Sequence, residues 1–135
     1  MARADEVREK DGRVREFLRR RGLKALLLKR QANFSWLTGG GLNLVGITTE
    51  VGAASLLVTG QEKVAITNNI EAPRMAGEEN LEALGYAIRS YPWYEEREAD
   101  VVDEVVGPGP LGSDVPFPNA AVLTGDIARL RYSLT

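Results

Sequence analysis

The chain has 135 residues, of which 44% are hydrophobic and 27% charged, as is typical of one globular domain. Cysteine and histidine are both absent, which excludes disulfides, thiolate catalysis, Cys-based zinc sites and histidine as a general base or metal ligand. The formal net charge of −2 provides no global basic field for nucleic acid or an anionic membrane.

The beginning of the chain is charged and has no apolar signal-peptide core, and no apolar run is long enough to span a bilayer. We therefore expect a cytoplasmic protein that binds neither nucleic acid nor a membrane.

An amphipathic helix is predicted from about Asp5 to Arg21, ending at Gly22 with basic residues in its last turn. Its apolar positions at helical spacing are Val7, Val14, Phe17 and Leu18. The next run, residues 23–28, is almost continuously apolar and predicts a strand buried on both faces. Its Ala, Leu and Lys composition also suits a helix, but a helix would have to restart directly after Gly22.

A short helical turn is predicted from Asn33 to Gly39. Asn33 is expected to cap this turn and Gly39 to end it, with Trp36 among the apolar side chains that pin it down. We expect structural roles for Asn33 and Thr38, which bracket the turn.

A glycine-rich loop is predicted to follow, up to about Glu50. A phosphate-binding loop is an alternative interpretation, but the Walker spacing and lysine are missing, and Leu44 stands where a dinucleotide fingerprint would place its third glycine. A surface loop is the better interpretation. Its candidate substrate-binding residues are Gly40, Gly41, Leu42, Asn43, Leu44 and Val45.

Residues 53–58 and 63–67 predict two strands joined by a short glycine-containing turn, hence an antiparallel hairpin. A helix follows, either capped by Asn68 with Glu71 at capping-box spacing or starting at Pro73. The later predicted elements are a strand at 86–91, a helix at 99–106, a strand at 110–113 and a helix from 118 or 119 toward 131.

This order predicts a three-layer α/β fold, with a mixed, mostly parallel sheet of about five strands that includes an antiparallel hairpin and has helices on both faces. Neighbouring carboxylates occur at positions 78–79, 95–96 and 103–104. Adjacent side chains do not converge on a helix or strand, so these pairs do not predict acid–base catalysis. We assign no catalytic residue and no metal ligand to the chain.

The residues from Gly22 to Leu28, followed after a short spacer by Asn33 to Gly39, resemble the N-terminal domain of creatinase, prolidase and aminopeptidase P-like proteins. The family pattern is an amphipathic helix, an apolar strand and then Asn-x-x-Tyr/Trp-apolar-Thr/Ser-Gly. The hairpin and the later alternation of helices and strands are similar as well, so the resemblance covers nearly the whole chain. We expect residues 1–135 to form a single domain.

The resemblance implies a ribonuclease H-like fold without a cofactor of its own. It also implies a separate pita-bread catalytic domain, which would lie beyond Thr135 and hold a pair of divalent metal ions (Mn, Co or Zn). By the same resemblance we expect a homodimer, with a peptide substrate in a cleft that this domain helps to close.

Creatine-hydrolysing members hold their substrate with aromatic and Arg side chains from the loop after the motif. Residues 40–48 have neither, so the resemblance favours a parent that cleaves Xaa-Pro bonds. The alternative is a free-standing binding module of the same fold, either a metal-less relative or a receiver/flavodoxin-like domain. A receiver would want acidic residues after its first strand, where residues 29–31 are Lys, Arg and Gln.

Overall fold

The fold is taken from a computed structural model that describes residues 3–38, 51–69, 71–76, 81–92, 95, 97–123 and 125–127. The helices are α1 (Arg3–Arg21), α2 (Gln31–Leu37), α3 (Ala72–Ala76) and α4 (Glu98–Val106). The strands are β1 (Ala25–Arg30), β2 (Val51–Thr59), β3 (Lys63–Asn68), β4 (Ala87–Tyr91), β5 (Leu111–Ser113) and β6 (Ala120–Val122).

The described strands form one sheet in the order β4-β3-β2-β1-β5-β6. β2 is antiparallel to both of its neighbours, β1 and β3. The pairs β1–β5, β3–β4 and β5–β6 are parallel. Five strands therefore run in one direction and β2 runs against them, which confirms the predicted mixed, mostly parallel sheet with an antiparallel hairpin.

The sixth strand corrects the sequence prediction, which placed the start of a final helix at Pro118 or Asn119. Asn119 has a positive φ of 60°, which a right-handed helix does not accommodate. The chain instead continues as β6, in which Ala120 pairs with Leu111 of β5. Pairing with the sheet has overridden the helix propensity of the two alanines. Among the described residues of this segment, helix occurs at 125–127.

The apolar core lies on both faces of the sheet, because consecutive residues of a strand point to opposite sides. In β1, Leu26 and Leu28 belong to one cluster while Ala25 and Leu27 belong to the other. The first cluster includes side chains of α1, α2 and α3, and the second includes the valines of α4. The prediction of a doubly buried strand with helices on both faces is confirmed.

The helix ends follow local sequence signals. Gly22 has a φ of +66°, and the amide of Leu23 donates to the carbonyl of Leu18 at 2.9 Å, as in a Schellman motif. Ahead of α3, the amide of Glu71 donates to the side-chain oxygen of Asn68 at 2.9 Å. The bond has the predicted spacing of three residues, but α3 begins at Ala72. Both predicted helix starts are therefore wrong, since Asn68 lies in the turn before the helix and Pro73 is its second residue. None of the helices in the described parts of the chain is long and apolar enough to cross a membrane.

Candidate functional site

The carboxyl ends of β1, β3, β4, β5 and β6 lie at one edge of the sheet, since these strands are parallel to one another and only β2 is reversed. From β1 the chain turns to β2 on one side, whereas β5 lies on its other side. In open α/β sheets, ligands bind at the carboxyl edge where the direction of connection changes. The position between the carboxyl ends of β1 and β5 is therefore the expected location of a ligand-binding site.

Asp114, which directly follows β5, fills this position and is completely buried. Its carboxylate accepts hydrogen bonds from the backbone amides of Lys29, at 2.9 and 3.0 Å, and Arg30, at 2.9 Å. It also accepts one from the side-chain amide of Asn33 at 2.8 Å. The guanidinium of Arg30 donates to the main-chain carbonyl of Asp114 at 3.1 Å. These bonds join the end of β5 to the end of β1 and the start of α2.

The prediction that Asn33 caps a short helix is wrong. Helix α2 begins at Gln31, so Asn33 lies in its first turn, and the N-cap residue is Arg30, whose side chain makes no capping bond. The carboxylate of Asp114 bonds the amide of this N-cap residue instead. The capping signal was sought within the local sequence, whereas the acceptor comes from a residue more than eighty positions later.

Thr38 is the C-cap residue of α2 and is fully buried. Its hydroxyl donates to the carbonyl of Phe34 at 2.7 Å, and its backbone amide donates to the same carbonyl at 3.0 Å. Trp36 is partly buried, and Lys10 of α1 lies 5.4 Å from its ring centre while donating to its main-chain carbonyl at 2.8 Å. These contacts hold α2 against α1 and the sheet.

A second polar group lies beside Asp114 and consists of Lys29, Ser55 and Glu98. The ammonium of Lys29 forms an ion pair with Glu98 and contacts the hydroxyl of Ser55 at 3.2 Å. The hydroxyl of Ser55 donates to the other oxygen of Glu98. A serine beside a lysine suggests nucleophilic catalysis, but here the lysine is paired with a carboxylate and cannot serve as a free base. The group ties α4 to β1 and β2.

The structure does not describe the candidate substrate-binding residues, which are Gly40, Gly41, Leu42, Asn43, Leu44 and Val45. Gly39, the predicted end of the short helical turn, also lies outside the described residues. The described residues on either side of that segment are Thr38, the C-cap residue of α2, and Val51, the first residue of β2. Val51 is paired with Arg30 at the end of β1.

The carboxylates at this edge are engaged with the protein itself, Asp114 by N–H groups and Glu98 by Lys29 and Ser55. Within the part of the chain that the structure describes, no group of three or more acidic side chains could hold a metal ion. The described donor set therefore does not fit a divalent metal pair.

Comparison with known proteins agrees with this architecture. The family model of the Creatinase/Prolidase N-terminal domain matches residues 12–128. No match is found among the curated proteins.

Several solved structures are similar to the chain. An Xaa-Pro aminopeptidase (aminopeptidase P) from Streptococcus thermophilus is 20% identical with a TM-score of 0.65, over 93% of this chain and 98% of that one. The prolidase from Pyrococcus horikoshii is 21% identical with a TM-score of 0.57, over 92% of this chain but only 29% of that one. The N-terminal domain of an X-Pro dipeptidase from Streptococcus pyogenes is 16% identical with a TM-score of 0.54, over 78% of this chain and 74% of that one.

The mixed sheet with helices on both faces defines an α/β domain of the type found at the start of creatinase and prolidase proteins. The chain belongs to the Creatinase/Prolidase N-terminal domain family.

Proposed function

We propose that this chain is the non-catalytic N-terminal domain of a metal-dependent Xaa-Pro peptidase. The observation that carries the proposal is the family match over residues 12–128, in a chain that spans 29% of a prolidase with the same fold. Prolidases and aminopeptidases P cleave next to proline, and this domain precedes the catalytic part in such proteins. Residues 1–135 would then form one domain, with the catalytic domain beyond Thr135.

The chemistry of the carboxyl edge supports a non-catalytic role. In many α/β enzymes this edge holds the ligand, but here the side chain of Asp114 occupies it and its oxygens accept bonds from β1 and α2. A pair of Mn, Co or Zn ions needs several convergent carboxylate or histidine ligands. Such ligands would have to come from the catalytic domain, where the metal pair would activate water.

The same edge supports a role in closing a substrate cleft and in forming a homodimer. The described residues that flank positions 39–50 are held in place, Thr38 by its hydrogen bond to Phe34 and Val51 by its pairing with Arg30. Loops on rigid anchors commonly carry binding function. Leu42, Leu44 and Val45 would supply apolar contact to the peptide substrate or to the second subunit.

The test uses the full-length parent enzyme with Leu42, Leu44 and Val45 all replaced by Ser. A cleft-closing role predicts a changed kcat or KM on an Xaa-Pro substrate while the thermal midpoint stays nearly fixed. Val122→Ser is the matched control, because Val122 is an apolar side chain on β6 that is 50% exposed. Unchanged kinetics with a lowered midpoint would show that the three side chains only pack against the domain. Oligomer size, measured on the same samples, tests the dimer.

A further inference from the structure

A cleft of about 500 Å³ opens on the side of the domain opposite to the carboxyl edge. One wall is the face of α1 that carries Gly12, Arg15 and Arg19. The other wall is formed by Lys24, just before β1, and by Gly60 in the turn between β2 and β3. The amino end of β1 and the carboxyl end of the reversed β2 meet here, so the cleft is separate from the site described above.

The charge of the cleft is predominantly positive. Arg15, Arg19 and Lys24 line it together with one carboxylate, that of Glu16, which is paired with Arg19. Arg15 uses its Nε to donate to the carbonyl of Thr59 at 3.3 Å, and a guanidinium has five N–H donors. Hydrogen-bonding capacity therefore remains on Arg15 for an anion. The side chain of Lys24 lines the cleft, but its ammonium lies beside Gly107, 3.4 Å from the carbonyl of Pro108. To reach an anion in the cleft it would have to turn away from this long contact, which a charge-assisted bond would outweigh.

Two glycines keep the cleft open. Gly12 lies within α1, although glycine is among the poorest helix-forming residues. A Cβ at Gly12 would meet no atom within 4 Å, and the same holds for Gly60. Packing against the described parts of the protein therefore does not require glycine at either position. A side chain at residue 12 would project into the cleft, so a bound ligand would provide a reason for the glycine.

We propose that this cleft binds a small phosphate monoester, with its phosphate held by Arg15 and Lys24. A guanidinium and an ammonium are the preferred partners of phosphate oxygens, and arginine can donate two parallel bonds. The volume of about 500 Å³ lies in the range of small-molecule sites and exceeds what a bare phosphate ion fills. Leu23, which is partly buried and lines the cleft, offers apolar surface for the organic part.

The test measures binding of inorganic phosphate and of phenyl phosphate to the 135-residue chain by NMR titration, at constant ionic strength maintained with chloride. We expect saturable shifts of amides in α1 and near Gly60, with tighter binding of phenyl phosphate. The double variant Arg15→Gln/Lys24→Gln should bind at least about ten-fold more weakly. Arg8→Gln is the control, because Arg8 is a cation of the same helix whose side chain is 73% exposed and does not line the cleft.

Gly12→Leu separates binding from folding, since it keeps every cation and improves helix propensity. It should abolish the phosphate-dependent shifts while leaving the thermal midpoint of the free protein unchanged or higher. Equal binding by the wild type and the double variant would overturn the proposal, as would full binding by Gly12→Leu. Equal affinity for phenyl phosphate and inorganic phosphate would contradict the role of Leu23.

Discussion

Asp114 and Asp11 are both buried aspartates, but their carboxylates have different hydrogen-bond donors. Asp114 lies at the carboxyl ends of the parallel strands, whereas Asp11 lies near their amino ends. Asp114 receives N–H donors from two backbone amides and from Asn33. Asp11, on α1, receives the ammonium of Lys63 at 2.6 Å through Oδ2. Its Oδ1 is buried with no hydrogen-bond partner among the described residues.

The comparison shows that burial of a carboxylate has different consequences when its donors are backbone amides and when its main donor is a single side chain. Backbone amides cannot move away from Asp114 without unfolding of β1 and α2, so that carboxylate joins three elements. Asp11 depends mainly on one lysine side chain, which is itself buried, donates to the carbonyl of Leu84 and lies 4.4 Å from the ring centre of Tyr86. Burial raises the pKa of Asp11, although the hydrogen bond and charge of Lys63 and the charge of Arg15 oppose the shift.

The largest effect is expected for Asp114→Ala, which removes the carboxylate acceptor of two partly buried amides and of the buried Asn33 side chain. Each unsatisfied buried group costs about 1–3 kcal/mol, so the free energy of unfolding should fall by about 4 kcal/mol. Asp100→Ala, at an exposed acid in the first turn of α4, should change it by less than about 0.5 kcal/mol. Urea denaturation measures both, and equal losses would contradict the role of Asp114.

The second-largest loss of stability is expected for Lys63→Met, because this change leaves Asp11 buried without its cation. Breaking a buried ion pair from one side costs about 3 kcal/mol near neutral pH. The double variant Asp11→Leu/Lys63→Met removes both charges and should recover most of the lost stability. A double variant that is no more stable than Lys63→Met would show that the lysine acts through packing alone.

The raised pKa of Asp11 predicts a pH dependence with a definite sign. The folded protein binds a proton at Asp11 more tightly than the unfolded chain does, so this proton stabilises the fold fully below the ordinary aspartate pKa. The contribution is lost as the pH rises from that value through the raised pKa of the folded state. The unfolding free energy of the wild type should therefore fall relative to that of Asp11→Asn over this window. A constant difference would contradict the raised pKa.

The smallest change is expected for Thr38→Val, which removes the hydroxyl bond to Phe34 at almost constant volume. A buried hydrogen bond of this kind contributes about 1 kcal/mol. Thr38→Ser keeps the hydroxyl and serves as the control that separates the lost bond from the lost methyl group. If the valine variant melted at the wild-type temperature, the bond at the end of α2 would have no measurable role in stability.

The sequence predicted those parts of the fold that rest on local signals. The apolar spacing of α1, the glycine at position 22 and the run at 23–28 each carry their information within a few residues. The short connection between β2 and β3 likewise predicted an antiparallel pair.

The features that depend on distant residues could not be predicted in this way. β6 forms because residues 120–122 pair with β5, and this pairing overrides their local helix propensity. Asp114, at the end of the neighbouring strand β5, accepts bonds from the amides of Lys29 and Arg30 where β1 meets α2. These partners lie more than eighty residues away in the sequence. A search for acidic residues at the ends of predicted buried strands would have found it, because such positions face the first turn of a neighbouring helix.

The central claim is that this domain serves a peptidase without performing the chemistry. The most direct test is an assay of the purified 135-residue chain with Xaa-Pro dipeptides and longer peptides in the presence of Mn²⁺, Co²⁺ or Zn²⁺. We predict no turnover above that of the metal ions alone. Metal-dependent hydrolysis that copurifies with the folded domain would contradict the account.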